Sequence, residues 1–142
     1  MSLDLSAPLR TALINSPTIS GLLSEWNEEP AIFTRRPVPS SAMYPFILVS
    51  PNVVYLESGP LANERATVVR DILVYGDQED HYRIVETISN EVRELFHRTR
   101  FSISVSGYRV VLITATGPNP APTDDEKSVA RVVTLTVLAQ RV

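Results

Sequence analysis

The sequence predicts an α+β domain: a mixed, mainly antiparallel sheet packed by one long helix, with a short N-terminal helical arm. Three observations lead there. In residues 77–98, Ile84, Val85, Ile88, Val92, Leu95 and Phe96 recur at helical spacing on one face. Strand-like runs flank this segment, at 46–56 and 65–75 before it and at 108–116 and 129–139 after it. The runs are joined by hairpin-length or long loops and not by repeated strand–helix–strand units, which favours antiparallel pairing.

Taken in order, residues 6–15 read as a helix. Ser6 is placed to cap it, Pro8 is tolerated in the first turn, and Leu9, Ala12 and Leu13 form an apolar stripe. Ser16-Pro17 starts a second helix, with Ile19, Leu22 and Leu23 facing inward. The two form an arm over about 5–24. Glu28-Glu29-Pro30 ends it, and Ala31–Phe33 is a short strand candidate. Residues 34–45 are irregular and dense in proline. Phe46–Val49 is a buried strand that continues over 51–56, with Pro51 marking a bulge or an edge. Arg65–Tyr75 is partly apolar on both faces, which predicts a central strand packed on each side.

Gly76 ends that strand, and Asp77 is placed to cap the long helix with Glu79 and Asp80 in its first turn. Glu79–Arg83 and Glu94–Arg98 are spaced for ion pairs on the wet face. Phe101–Val105 is a further short strand candidate. Between the last two strands, residues 117–127 hold three prolines in five residues and an acidic run, which predicts an extended, exposed loop. Arg131 falls on the apolar face of the last strand, near its start, where that face is expected to reach solvent.

The 142 residues fit one domain over 1–142. Net charge is −3, which lacks the field of a general nucleic-acid binder. With no cysteine there is no disulfide framework, thiolate chemistry or cysteine zinc site. The N-terminus has no basic region followed by an apolar core, so no leader peptide is expected. The longest apolar runs, such as Phe46–Val49, are too short to span a bilayer. Of the 13 basic residues only Lys127 is lysine. Arginine is enriched at protein interfaces because its guanidinium is weakly hydrated and bonds in plane, and a GC-rich genome would give the same bias.

The residues carry no catalytic, metal or cofactor constellation, and no cofactor is expected. His81 and His97 are 16 residues apart on one helix, about 24 Å along its axis, and cannot share a metal or a triad. Asp124, Asp125 and Glu126 lack the spacing and the glycine of a calcium loop, and read as a solvated acidic loop. No nucleophile elbow, dinucleotide fingerprint or phosphate loop occurs. Arg35-Arg36 lacks interleaved aromatics and suits protein contacts or plain solvation better than nucleic acid. Trp26 is either an interface anchor or a cap of the arm against the sheet. The candidate contact residues are therefore Trp26, Arg35, Arg36, Asp124, Asp125 and Glu126, and the class is a structural or interaction protein.

The whole pattern resembles the tail-completion, or tail-terminator, proteins of long-tailed bacteriophages. The resemblance covers about residues 5–141. It rests on the arm ending near Leu22-Leu23, the strand entry Met43-Tyr44-Pro45-Phe46-Ile47-Leu48-Val49, the Arg65–Tyr75 strand, the Asp77-to-Phe96 helix and the closing Arg131–Val137 segment. It implies a homo-oligomeric ring of six copies on the head-proximal end of the tail tube. That ring would contact the tail tube protein and the head-completion or connector protein, and DNA would pass through its lumen without specific binding. The alternatives are another neck, head-closure or minor tail protein, and a small-ligand-binding α+β domain.

Overall fold

The computed structural model describes residues 4–58, 65–99, 103–123 and 126–142. The expected architecture is present. Helices α1 (Ser6–Ile14) and α2 (Pro17–Leu22) lead into a small hairpin of β1 (Glu25–Trp26) and β2 (Glu29–Pro30). Strands β3 (Ile32–Phe33), β4 (Phe46–Ser58) and β5 (Arg65–Asp77) follow. Then come α3 (Tyr82–Phe96), β6 (Tyr108–Pro120) and β7 (Ser128–Arg141). The main sheet has the order β3-β4-β5-β7-β6 and is mixed: β3 runs parallel to β4, and the other pairs are antiparallel.

All three helices lie on one face of this sheet. The α3 stripe buries Val85, Ile88, Val92 and Phe96 against β5, β6 and β7. The arm is part of the same core and not an appendage, since Leu5, Leu9 and Leu13 are fully buried with Ile19 beside them. Ser16 caps α2 as expected, its hydroxyl accepting from Ile19 N at 3.4 Å with Pro17 at the first helical position. Ser6 does not cap α1. It is the first helical residue, and the Asp4 carboxylate accepts from its amide at 2.9 Å.

Several expectations are corrected. The strand β5 is central but helices pack only one side: Ala66, Val68, Arg70, Ile72 and Val74 are buried, while Thr67, Val69, Asp71, Leu73 and Tyr75 are half-buried. The long helix begins at Tyr82, because Asp77 still pairs with Ser128 in the sheet and its carboxylate accepts from Glu79 N and Asp80 N to form a turn. Glu79 is therefore outside the helix, and Arg98, at φ 57°, is past its end. Neither expected i,i+4 pair has helical geometry. Glu94 instead meets Arg93 at 3.3 Å on the exposed surface, where such a pair contributes little. In the described part of Phe101–Val105, residues 103–105 are irregular, though Ile103 is buried.

The proline-dense 117–127 segment is only partly a loop. β6 runs to Pro120, with Asn119 opposite Val132 and Pro120 opposite Arg131 beyond a register shift. Proline is tolerated here because β6 is an edge strand, so a missing N–H removes no ladder bond on the open side. Gly117 makes the shift possible: its φ is +100°, and a Cβ would lie 2.8 Å from Val132 O. Arg131 is also not at solvent. Its Nε donates to Glu86 at 2.7 Å and its guanidinium lies over the Tyr82 ring, tying β7 to α3. The histidines do similar work, His81 Nδ1 accepting from Asp77 N at 3.2 Å and His97 Nδ1 from Ala115 N at 3.1 Å.

Gly76 is the close approach between strand and helix. A Cβ there would collide with Val85 Cγ2 and stand 2.8 Å from His81 Cβ. Gly76→Ala is expected to lower stability by about 1–3 kcal/mol, the usual cost of overpacking, which chemical denaturation would read.

Arg70 is the one charged group fully buried among the described residues. Its Nε donates to Ser50 O, its Nη2 to Ser6 Oγ at 2.9 Å, and its Nη1 reaches Asp4 Oδ1 at 3.4 Å. Burial pulls its pKa below the ordinary arginine value, opposed by Asp4. The Asp4 carboxyl is held below its usual 3.8 by the amide and hydroxyl of Ser6 first and by Arg70 second. A lowered carboxyl stabilises the fold above its unfolded pKa and loses that contribution as pH falls through the folded one. Asp4→Asn is therefore expected to melt earlier than wild type at neutral pH and to converge with it in acid below both values. A difference that persists there would refute the linkage.

Candidate assembly surface

The helix-free face of the sheet is the principal candidate surface. Its side chains stand in rows set by the strand register. Phe46, Tyr75 and Ala130 form one row, and Leu48, Leu73 and Val132 the next. Asp71, Thr134 and Thr116 follow, then Val69, Thr136 and Thr114, then Thr67, Leu138 and Leu112. Arg65, Gln140 and Arg109 close the face. Across the five rows before that last one, the only charged side chain described is Asp71, and Thr134 Oγ1 donates to its carboxylate at 2.7 Å. A broad face of threonine and aliphatic side chains with its one charge satisfied has the composition of an interface centre, where charged residues are depleted. Val111, Leu112 and Leu138 are exposed at one corner.

The opposite corner is covered by the 34–45 segment. Ser24 pins the end of that segment, its amide donating to Pro45 O at 3.0 Å and its hydroxyl to Met43 O. Beneath lies an aromatic chain. Trp26 meets Phe33 edge-on at 5.9 Å, Phe33 meets Phe46 at 5.6 Å, and Phe46 stacks between Tyr44 and Tyr75 at 5.4 and 5.1 Å. An open cleft of about 600 Å³ runs over it, lined by Arg36, Val38, Tyr44, Tyr75, Thr123 and Ser128 among others.

Of the residues singled out from sequence, Arg36 lines this cleft and Trp26 reaches it through the aromatic chain. Arg35 is exposed beside Arg36. The two proline-rich segments, far apart in sequence, converge here, since Arg36, Pro122 and Thr123 also line one adjoining pocket. Glu126 is exposed in the turn before β7, and Asp124 and Asp125 lie outside the described residues. Tyr44, Phe46 and Tyr75 were not singled out. Their signal is weak in sequence, because aromatics at strand ends are ordinary and only the β4–β5 register stacks them.

Among the described residues no three His, Asp or Glu side chains gather to hold a metal ion, and no helix is long and apolar enough to cross a membrane.

No protein-family model matches the chain, and no curated protein matches its sequence. Solved structures do match. The chain superposes on one from the virion of a native gene transfer agent (GTA) particle with a TM-score of 0.73 at 14% identity, covering 97% of this chain and 94% of that one. At this identity the likeness is one of fold. A second solved chain, 15% identical, aligns over 94% of each chain with a TM-score of 0.46, too loose to bear on the reading.

Proposed function

We propose that this chain is a virion structural protein. More finely, we read it as a tail terminator that forms a ring, of six copies in the family it resembles, on the head-proximal end of a tail tube. There it ends tube polymerisation and joins tail to head. The observation that carries the reading is the shared fold, over nearly the whole of both chains, with a protein of a gene transfer agent virion. The charge-poor open face supports it, because a ring needs a large contact that closes by rotation. On this reading the tail tube protein and a head-completion or connector protein cover the ring's two faces. DNA passes through the lumen without specific binding, consistent with a net charge of −3. The cleft with Arg36 and Trp26, the neighbouring Arg35 and the 124–126 acidic run are proposed partner contacts, and residues 1–142 act as one unit.

Deleting the protein from the particle that carries it tests this. Terminator loss gives overlong or headless tails. Head-closure loss gives normal free tails and leaking heads, which would favour a different neck component. Unaltered particles, with no labelled protein found in them, would refute a virion role.

A further inference from the structure

Beyond the open face, the two ends of β5 differ in charge. At its start, Arg65 and Arg109 flank Gln140 across three strands, and Arg109 Nη2 donates to Gln140 Oε1 at 2.8 Å. Neither arginine has a carboxylate partner among the described residues. They rim a groove of about 390 Å³ whose lining mixes the apolar Val111 and Leu138 with the polar Thr67 and Gln140. Two exposed guanidinium groups over a partly apolar lining fit a carboxylate-bearing segment, since arginine bonds carboxylates in plane while its stem covers apolar surface.

Such a segment stands at the other end of the same strand. Residues 77–80 form an acidic turn in which Gln78, Glu79 and Asp80 are exposed. The turn is fixed in shape. Asp77 accepts from Glu79 N and Asp80 N, His81 N donates to Asp77 O at 2.8 Å, and Gln78 N donates to Lys127 O at 2.7 Å. Its ordering cost is met before any partner arrives, which favours binding. Arg36 and Lys127 also lie toward this end, on the cleft and on the 126–127 turn, but not within residues 77–80. Groove and turn are separated by the length of β5, about 40 Å at 3.3 Å per residue, so one copy cannot fill its own groove.

We infer that the Arg65–Arg109 groove receives the acidic 77–80 turn of a second copy. The contact is heterologous: each copy offers one groove and one turn, so copies join head to tail. That this series closes into a ring rests on the function proposed above; the contact itself does not.

A charge swap on the full chain tests it. Arg65→Glu with Arg109→Glu makes both ends acidic, and Glu79→Lys with Asp80→Lys makes both basic. All four side chains are exposed, so circular dichroism should show both variants folded. In sedimentation velocity at about 50 mM salt, wild type is expected to associate, and to do so at least about tenfold more weakly at about 500 mM, where the Debye length is short. Each variant alone should lose association, and an equimolar mixture should recover it. Variants that associate like wild type, a mixture that stays monomeric, or a wild type that is monomeric throughout would each overturn the contact. The deletion phenotype decides the virion reading separately: a ring in particles carrying either variant would leave that reading standing without this contact.

Discussion

Replacing Arg70 by Ala is expected to lower the unfolding free energy by about 3 kcal/mol, a fall of roughly 10 °C in Tm for a chain of this size. Arg70 is among the largest fully buried side chains, so truncation leaves a cavity beneath the arm. It also takes away the donors on Ser50 O and Ser6 Oγ. The loss is moderated by relief of the guanidinium's own desolvation. Arg70→Met separates these contributions. It fills most of the volume and removes the buried charge, and its expected cost is below about 1.5 kcal/mol. If Met costs as much as Ala in denaturant unfolding, the hydrogen bonds dominate and the packing account is wrong.

Thr136→Glu is expected to abolish self-association while leaving the monomer folded. Thr136 lies mid-face, between Val69 and Thr114, with no described charge in its row. Its side chain is half-buried on the helix-free face, which is open to solvent in the monomer, so the glutamate reaches water and the monomer loses about 1 kcal/mol or less. If a partner covers the face, the same carboxylate is buried without a counter-ion, and truncation-scale penalties of several kcal/mol weaken association by more than about a hundredfold. Sedimentation and thermal melting on the same sample read both effects. Unchanged association would show that the open face is not the contact.

Much of the fold was legible from local pattern. The α3 stripe, the Ser16 cap and the bulge or edge implied by Pro51 depend on residues within a few positions of one another; the first two are where the pattern put them, and a register shift between Val49 and Asn52 makes the third a bulge. Misplacements came where a distant partner competed. Asp77 looked like a helix cap, but pairing with Ser128 held it in β5 and moved the helix start to Tyr82. Pro118 and Pro120 looked like loop residues, yet an edge position let them stay in β6.

The candidate surface was less legible. Arg36 and Trp26 stood out by type, but the aromatic chain and the Arg65–Arg109 groove did not. Each joins residues on strands that only the register sets side by side. By itself the sequence determined the α+β class and the order of the main helices and strands, because periodicity and caps are short-range properties. The tertiary structure decided which side of β5 is left bare, that Arg70 is buried and bonded, and that acidic and basic ends face opposite ways along one strand. Those outcomes depend on strand order and register, which are fixed by contacts between residues tens of positions apart.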